Sequence, residues 1–457
     1  MTMNSPIEQA TSTITKYAQQ APRYTSYPTA LKFEAVNDGL LESASENCGA
    51  DTISLYIHIP FCEELCYYCG CNKIVTRHNE KADHYLSYIE KEMVAKKSLY
   101  KDKKVVALHL GGGSPSFLSA TQHTYLMYLI KKHFLISSDA EFSIELDPRN
   151  VTFEYLEDLN ELGYTRVSFG VQDINVDVQQ SINRVQSTAH IAKLVFDAKN
   201  IGYTSVNLDL IYGLPKQTME KFRTTVVAVK AMSPDRISLF SYAHLPDRFA
   251  AQRKIPLDTL PTPDEKAALH QMAVESFTKT GFEMIGLDHF AKPSDTLAMA
   301  KHNHVLHRNF QGYTTHKNSD LLGLGVSAIS TIGNAYGQNP KQLKDYYNRL
   351  DNDLPLTANG IALSLDDRIR RDVIMSLMCN LYLDKKDIED KYNINFNGYF
   401  CIELTSLKSL MADGIIELSD RYISVPDTSR IYIRAICARF DAYLNKDHHI
   451  SRYSAAI

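Results

Sequence analysis

The sequence predicts an α/β fold, a parallel sheet curled into a partial (β/α)6 barrel, with an N-terminal arm and a mostly helical, winged-helix-like C-terminal domain. Three observations predict it. Six short β-branched runs recur through the first half of the chain. Polar stretches with helical apolar spacing separate them, the alternation that builds parallel sheets. The polar residues with chemical potential gather where the runs end, as active-site residues do at the carboxyl ends of barrel strands. Six repeats rather than eight imply a barrel open on one side. The same alternation also permits a doubly wound open sheet.

The runs are SLYIHIP (54–60), VVALHLGGG (105–113), EFSIELDP (141–148), RVSFGVQD (166–173), SVNLDLIYGLP (205–215) and RISLFSYAHLP (236–246). Each is a strand candidate closed by Gly, Pro or an acidic residue. Helical spacing between them is seen in Tyr85, Ile89 and Met93, and in Leu156, Leu159 and Leu162. Residues 1–50 contain PRYTSYPTA, whose two prolines favour an extended arm. The barrel is expected over 51–300, a connecting segment that completes the site over 301–360, and the C-terminal domain over 361–457. In that domain DRIRRDVIMSLMCNLYL places Ile369, Val373, Ile374, Leu377 and Leu381 on one helical face. A second helix (402–412) follows, and DGIIEL and RYISV read as a short hairpin.

Composition narrows the class. The chain has 457 residues, 44% apolar and 22% charged, with a formal net charge of -4. No excess of positive charge marks a nucleic-acid binder, no window approaches a membrane span, and the N-terminus lacks a secretory pattern. A cytosolic protein is expected, with a monomer as the default. Of eight cysteines, four crowd between Cys62 and Cys71, a density that points to metal rather than disulfides. Cys48, Cys379, Cys401 and Cys437 are scattered and read as small apolar side chains.

Cys62, Cys66 and Cys69 form C-x3-C-x2-C in a loop directly after the first strand, so three thiolates can serve one iron-sulfur cluster from a single segment. A four-iron cluster held by three cysteines keeps one iron open for a small molecule. The competing reading is a zinc knuckle with Cys71 or His58 as fourth ligand, although the usual second C-x2-C pair is missing. Glycines at 112 and 113 permit close backbone approach to a ligand, or merely a tight strand-to-helix connection. Glu145 is placed to accept ribose hydroxyls, or to pair with a buried cation. His302, His304 and His307 in KHNHVLHR offer a further metal tract, with His304 and His307 on one face if the segment is helical; no nearby carboxylate or cysteine completes it in the sequence.

At IPFCEELCYYCGCN the sequence resembles the radical SAM (S-adenosylmethionine) superfamily, and more closely the oxygen-independent coproporphyrinogen III oxidases. The likeness runs nearly end to end through PRYTSYPTA, GGGSP, ELDPR, FGVQD, DLIYGLP, YAHLP and HRNFQGYTT. Two departures, Tyr68 and Ser114 where family members commonly carry Phe and Thr, keep an aromatic face and a hydroxyl. The resemblance implies a 4Fe-4S cluster on Cys62, Cys66 and Cys69; Cys71, placed too tightly after Cys69 in C-G-C, is expected not to be a ligand. It implies a first SAM lined by Tyr56, Gly112, Gly113, Ser114 and Glu145, with Ile329 packing on its adenine. A second SAM is implied beside it, contacted from Tyr68, Gly113, Ser114, Gln172, Arg184, Asp209 and the backbone at Ala243.

The reaction implied is conversion of coproporphyrinogen III to protoporphyrinogen IX in haem biosynthesis, with two propionates becoming vinyl groups through 5'-deoxyadenosyl radical chemistry. Arginines are expected near the barrel mouth to meet the substrate carboxylates. An electron donor and an electron acceptor are implied but not identified. Two other functions stay open, a haem-binding chaperone on the same barrel and a zinc-stabilised regulator using the C-terminal module on DNA.

Overall fold

The computed structural model describes residues 16, 17 and 20–444. Residues 1–15, 18 and 19 of the expected arm, and 445–457 of the expected C-terminal domain, lie outside them. The six anticipated strands are β1 (Thr52–Ile59), β2 (Lys104–Gly112), β3 (Leu135–Leu146), β4 (Arg166–Gln172), β5 (Ser205–Tyr212) and β6 (Arg236–Ser241). They pair in parallel in sequence order. Connecting them are α1 (Glu80–Ala95), α2 (Ala120–His133), α3 (Phe153–Glu161), α4 (Thr188–Ile201) and α5 (Met219–Ala231), with α6 (Pro263–Thr278) following β6.

The strands alternate with unusual regularity for a parallel sheet, whose strands are normally apolar on both faces. In β5, Val206, Leu208 and Leu210 are buried beneath the helices, while Asn207 and Asp209 point the other way. Val167 and Phe169 of β4 and Ile237 and Leu239 of β6 repeat the pattern around Ser168 and Ser238. Polar residues from β2 to β6 line a single cavity, so the sheet curls around it as a partial barrel. The helices present matching apolar faces, as in Phe222, Val226 and Val229 of α5. Side-chain caps fix where most of them begin: Ser119, Thr152, Ser187, Thr218 and Thr262 each accept a backbone N–H of the first turn, worth about 1 kcal/mol apiece.

Several elements were not anticipated. Strand β7 (Asp320–Leu324) pairs in parallel with β1 on its outer edge, so the parallel set has seven strands. An antiparallel meander, Ile329–Ile332, Ala335–Gln338 and Asn359–Ala362, continues from β7, while His289–Ala291 and Glu283–Ile285 extend the β6 edge. Residues 40–48 of the expected arm form a helix, Leu40–Cys48. The helical spacing assumed for the histidine tract is also corrected. The helix Thr296–His302 ends before His304, which takes a left-handed φ of 55°, and His307 opens the strand His307–Asn309. His302 pairs with Glu283 at 2.7 Å instead.

The C-terminal domain has the expected helices and hairpin. α7 (Leu365–Asn380) buries Ile369, Val373, Ile374 and Leu377. Helix Cys401–Ala412 leads into the paired strands Glu417–Leu418 and Tyr422–Ser424, joined by Tyr382–Asp384. Tyr17, Tyr24 and Tyr27 of the arm are buried in this core rather than in the barrel. Tyr24 Oη donates to Asp441 at 3.1 Å, and Tyr27 Oη accepts the Ala442 N–H at 3.0 Å.

Candidate active site

The cysteine loop leaves β1 and is folded back by a short parallel pairing of Phe61–Cys62 with Ile74–Val75. Its far side is tied to the segment after β4: the Tyr67 N–H donates to the Ile182 carbonyl at 3.0 Å, and Asn183 Nδ2 to the Leu65 carbonyl at 2.9 Å. Cys62, Cys66, Cys69 and Cys71 are all free thiols and all open on one cavity of about 480 Å³. Burial and the neighbouring thiols of Cys69 and Cys66 push the Cys62 thiol up to about 12. A hydrogen bond from the Cys71 thiol, with Lys73 nearby, holds Cys69 down at about 6. Such mutual influence requires the three sulfurs to share one neighbourhood. Among the described residues no three His, Cys, Asp or Glu side chains stand as a single metal ion would need them.

His58, the alternative ligand, is otherwise engaged. Its Nε2–H donates to the Asn72 carbonyl at 2.9 Å, which leaves Nδ1 to accept the Tyr56 hydroxyl at 3.0 Å. Burial lowers its pKa and keeps the ring neutral. The ring also packs where a Cβ on Gly112 would lie, 2.6 Å away, and Gly112 has a φ of +120°. At Gly113 a Cβ would meet the Pro60 carbonyl oxygen at 2.6 Å. The GGGSP turn is therefore pressed against the backbone that launches the cysteine loop, with Gly113 N–H on the Ile59 carbonyl and Ser114 N–H on the Phe61 carbonyl, each at 2.8 Å. No residue but glycine fits those two positions.

Next to the loop stands a buried charge cluster. Arg184 Nη1 donates to Asp147 Oδ2 at 3.0 Å and lies 3.5 Å from Cys66 Sγ, while its Nη2 donates to the Gly170 carbonyl at 2.6 Å. Arg149 bonds the same Asp147 oxygen at 2.6 Å and reaches Glu64 at 2.6 Å. Two guanidinium groups beside Cys66 offset the negative charge that thiolates and a cluster would bring. Gln172 ends β4 in the left-handed region at φ 65°, at a register shift, and its Nε2 and Arg184 Nη2 each lie 2.9 Å from where a Cβ on Gly170 would be.

Deeper in the barrel, His109 shares Ser143 Oγ at 2.8 Å and Glu145 Oε1 at 3.2 Å, and stacks on Tyr56 at 6.0 Å between centroids. Burial acts to raise the Glu145 pKa. The His109 hydrogen bond and charge, helped by the Gly112 N–H, outweigh it and hold the carboxylate below its usual range. Asp209 accepts from Ser168 at 3.0 Å and from Asn207 at 2.8 Å. Burial, then the charge of Glu145, raises its pKa from 3.8 to about 6.

Of the residues expected from sequence, the cavity gathers Cys62, Cys66 and Cys69 with Tyr68, Gly112, Gly113 and Ser114, and with Glu145, Gln172, Arg184 and Asp209. Tyr56, Ala243 and Ile329 stand outside its lining. Tyr56 lies behind His109. Ile329 crosses β7 at Gly323, whose missing Cβ would lie 2.5 Å from the Ile329 carbonyl oxygen, and Gly323 is the register partner of Tyr56. Ala243 follows β6, and its carbonyl and that of Tyr68 both accept from Gln252 Nε2, at 3.2 and 2.9 Å. Sequence reasoning passed over His109, Asp147 and Arg149. The last two end the ELDPR motif, and His109 stands between two leucines of β2, signals that would have served.

The cavity meets the needs of an iron-sulfur cluster with an adenosyl ligand: reduced thiols on one loop, counter-charge beside them, a glycine cradle and an ionised carboxylate. Comparison with known proteins gives the family. Residues 56–228 match the Radical SAM superfamily and residues 363–431 the HemN C-terminal domain. The oxygen-independent coproporphyrinogen III oxidase of Escherichia coli (strain K12) is 48% identical over 445 residues, covering 97% of each chain. That of Pseudomonas aeruginosa is 43% identical over 437 residues, covering 94% of this chain and 95% of the relative. The solved structure described as "Coproporphyrinogen III oxidase (HemN) from Escherichia coli is a Radical SAM enzyme" superposes with a TM-score of 0.90 at 47% identity, covering 93% of this chain and all of that one. By sequence along nearly its whole length and by fold, the chain belongs to the oxygen-independent coproporphyrinogen III oxidases of the radical SAM superfamily.

Proposed function

We infer that this chain carries out the oxygen-independent oxidative decarboxylation of coproporphyrinogen III to protoporphyrinogen IX in haem biosynthesis, using a 4Fe-4S cluster and SAM. When bound, the cluster and SAM supply a 5'-deoxyadenosyl radical that takes hydrogen from a propionate side chain. The residues divide the remaining work. Cys62, Cys66 and Cys69 would hold the cluster, and Arg184 and Arg149 would balance its charge from the Cys66 side. Tyr56 and His58 brace the glycine turn, so that Gly112, Gly113 and Ser114 can offer backbone groups to a ligand. Glu145, kept ionised by His109, would accept the ribose hydroxyls, with Ile329 beside Tyr56 on the adenine side. Tyr68, Gln172, Arg184, Asp209 and the Ala243 backbone would serve a second SAM, Asp209 binding as an acceptor above about pH 6.

The single observation that carries this reading is the joining of four free thiols, the glycine cradle and Glu145 in one cavity at the carboxyl ends of the strands. Among the described residues no helix is long and apolar enough to cross a membrane. We further propose a cytoplasmic monomer with no nucleic-acid partner, supplied by a separate electron donor and relieved by a separate acceptor.

The test is anaerobic reconstitution with iron and sulfide, reduction, and measurement of deoxyadenosine and protoporphyrinogen IX. Two propionates each need one hydrogen abstraction, so about two deoxyadenosine should form per protoporphyrinogen. Tight binding of the porphyrinogen with neither product formed would favour the chaperone reading and overturn this one.

A further inference from the structure

The arm motif PRYTSYPTA sends one side chain away from the C-terminal core. While Tyr24 and Tyr27 are buried there, Arg23 reaches to the barrel rim, where its Nη2 donates to the Ser241 carbonyl at 2.9 Å. The arm backbone is pinned on both sides of it. Arg434 Nε donates to the Pro22 carbonyl at 3.0 Å, and Arg308 Nη1 to the Arg23 carbonyl at 3.4 Å. From the first turn of α6, Lys266 Nζ donates to the next carbonyl along, Tyr242, at 2.5 Å, and lies over the Tyr212 ring at 5.8 Å. Gly213 makes room for it: a Cβ there would lie 2.7 Å from Lys266 Cε.

Two cations thus sit on consecutive carbonyls where β6 ends, and among the described residues neither has a carboxylate partner. The nearby Asp288 acts on Arg434 and on Tyr212, and no ion pair joins it to Arg23 or Lys266 among the described residues. Burial and the charge of Arg23 bring Lys266 down to about 8, so the pair repel each other as placed. Like charges held together by the fold call for an anion between them.

We propose that Arg23 and Lys266 form a subsite for a substrate carboxylate, and that it takes one of the propionates that survive the reaction. This rests on the function proposed above, whose substrate carries four carboxylates. Pairing with cations stabilises the carboxylate and so opposes its loss as neutral carbon dioxide. The pair is therefore suited to a propionate that stays.

The experiment measures anaerobic binding of coproporphyrinogen III and of protoporphyrinogen IX to the reconstituted protein by ultrafiltration, with retained tetrapyrrole read after oxidation to porphyrin. Arg23→Gln and Lys266→Met should each raise Kd about tenfold or more for both compounds. The charge-keeping Arg23→Lys and Lys266→Arg should lose less than the neutral variants, because each keeps a cation for the carboxylate. Unchanged Kd in the neutral variants, equal losses in the charge-keeping ones, or a loss confined to coproporphyrinogen would overturn the assignment. If the parent binds coproporphyrinogen without converting it, the proposed reaction fails while the binding comparison still judges the subsite.

Discussion

The inward face of β4–β6 carries Ser168, Asn207, Asp209 and Ser238, joined to one another at 2.8–3.2 Å. The core of the C-terminal domain is instead built of Ile369, Val373, Leu377, Phe396 and Phe400, with arm tyrosines placing hydroxyls at its edge. The barrel keeps its stabilising apolar surface on the other side of the same strands, under the helices. Its lumen is thereby left to polar groups that hold one another in place for a ligand. Changes in the lumen should therefore alter binding and titration, and changes in the C-terminal core should alter stability.

The largest loss of stability is expected from Leu377→Ala, about 3 kcal/mol for an emptied fully buried site, measured by chemical denaturation. Iron per folded chain should match the parent, and its loss in proportion to stability would break the comparison. Arg184→Met should cost less, about 2 kcal/mol: it strips a buried partner from Asp147, but Arg149 still bonds that carboxylate. Unlike Leu377→Ala, it should also speed iron loss to a chelator, because the cation beside Cys66 is gone.

The smallest effect concerns pH. Asp209 holds its proton up to about pH 6 in the folded chain but only to about 3.8 when unfolded. Between those values the folded state binds more protons, so the contribution of Asp209 to stability falls as pH rises from about 4 to about 6. Asp209→Asn should remove that component of the stability profile. An unchanged profile would show that Asp209 titrates normally in the folded chain.

Much of the barrel was legible because its strands alternate strictly and end in Gly, Pro or acid. VNLDLI is readable as one buried and one cavity face, and the cysteine loop announces itself by density. β7 was not legible: DLLGL is buried on both faces and has no alternation to read. The helix Leu40–Cys48 buries only Leu41 and Ala44, too little for a periodic signal. His304 left its expected helix because the chain turns there through a left-handed residue. In the site, residues at strand ends were found from the strands themselves. The placing of Ile329 behind β7 and of Ala243 through Gln252 depends on contacts between distant segments that no local pattern records.

Three cysteines of one loop are proposed to hold the cluster, with the fourth left free to act in the pocket. The Cys71 N–H points at Cys69 Sγ at 3.4 Å, and its thiol donates to the same sulfur. The most direct measurement is the iron and sulfide content of the four anaerobically reconstituted variants Cys62→Ser, Cys66→Ser, Cys69→Ser and Cys71→Ser. The first three should lose most of the iron, while Cys71→Ser should keep about four irons per chain and lose porphyrinogen decarboxylation. Iron loss in Cys71→Ser equal to that in Cys69→Ser would contradict the three-cysteine site.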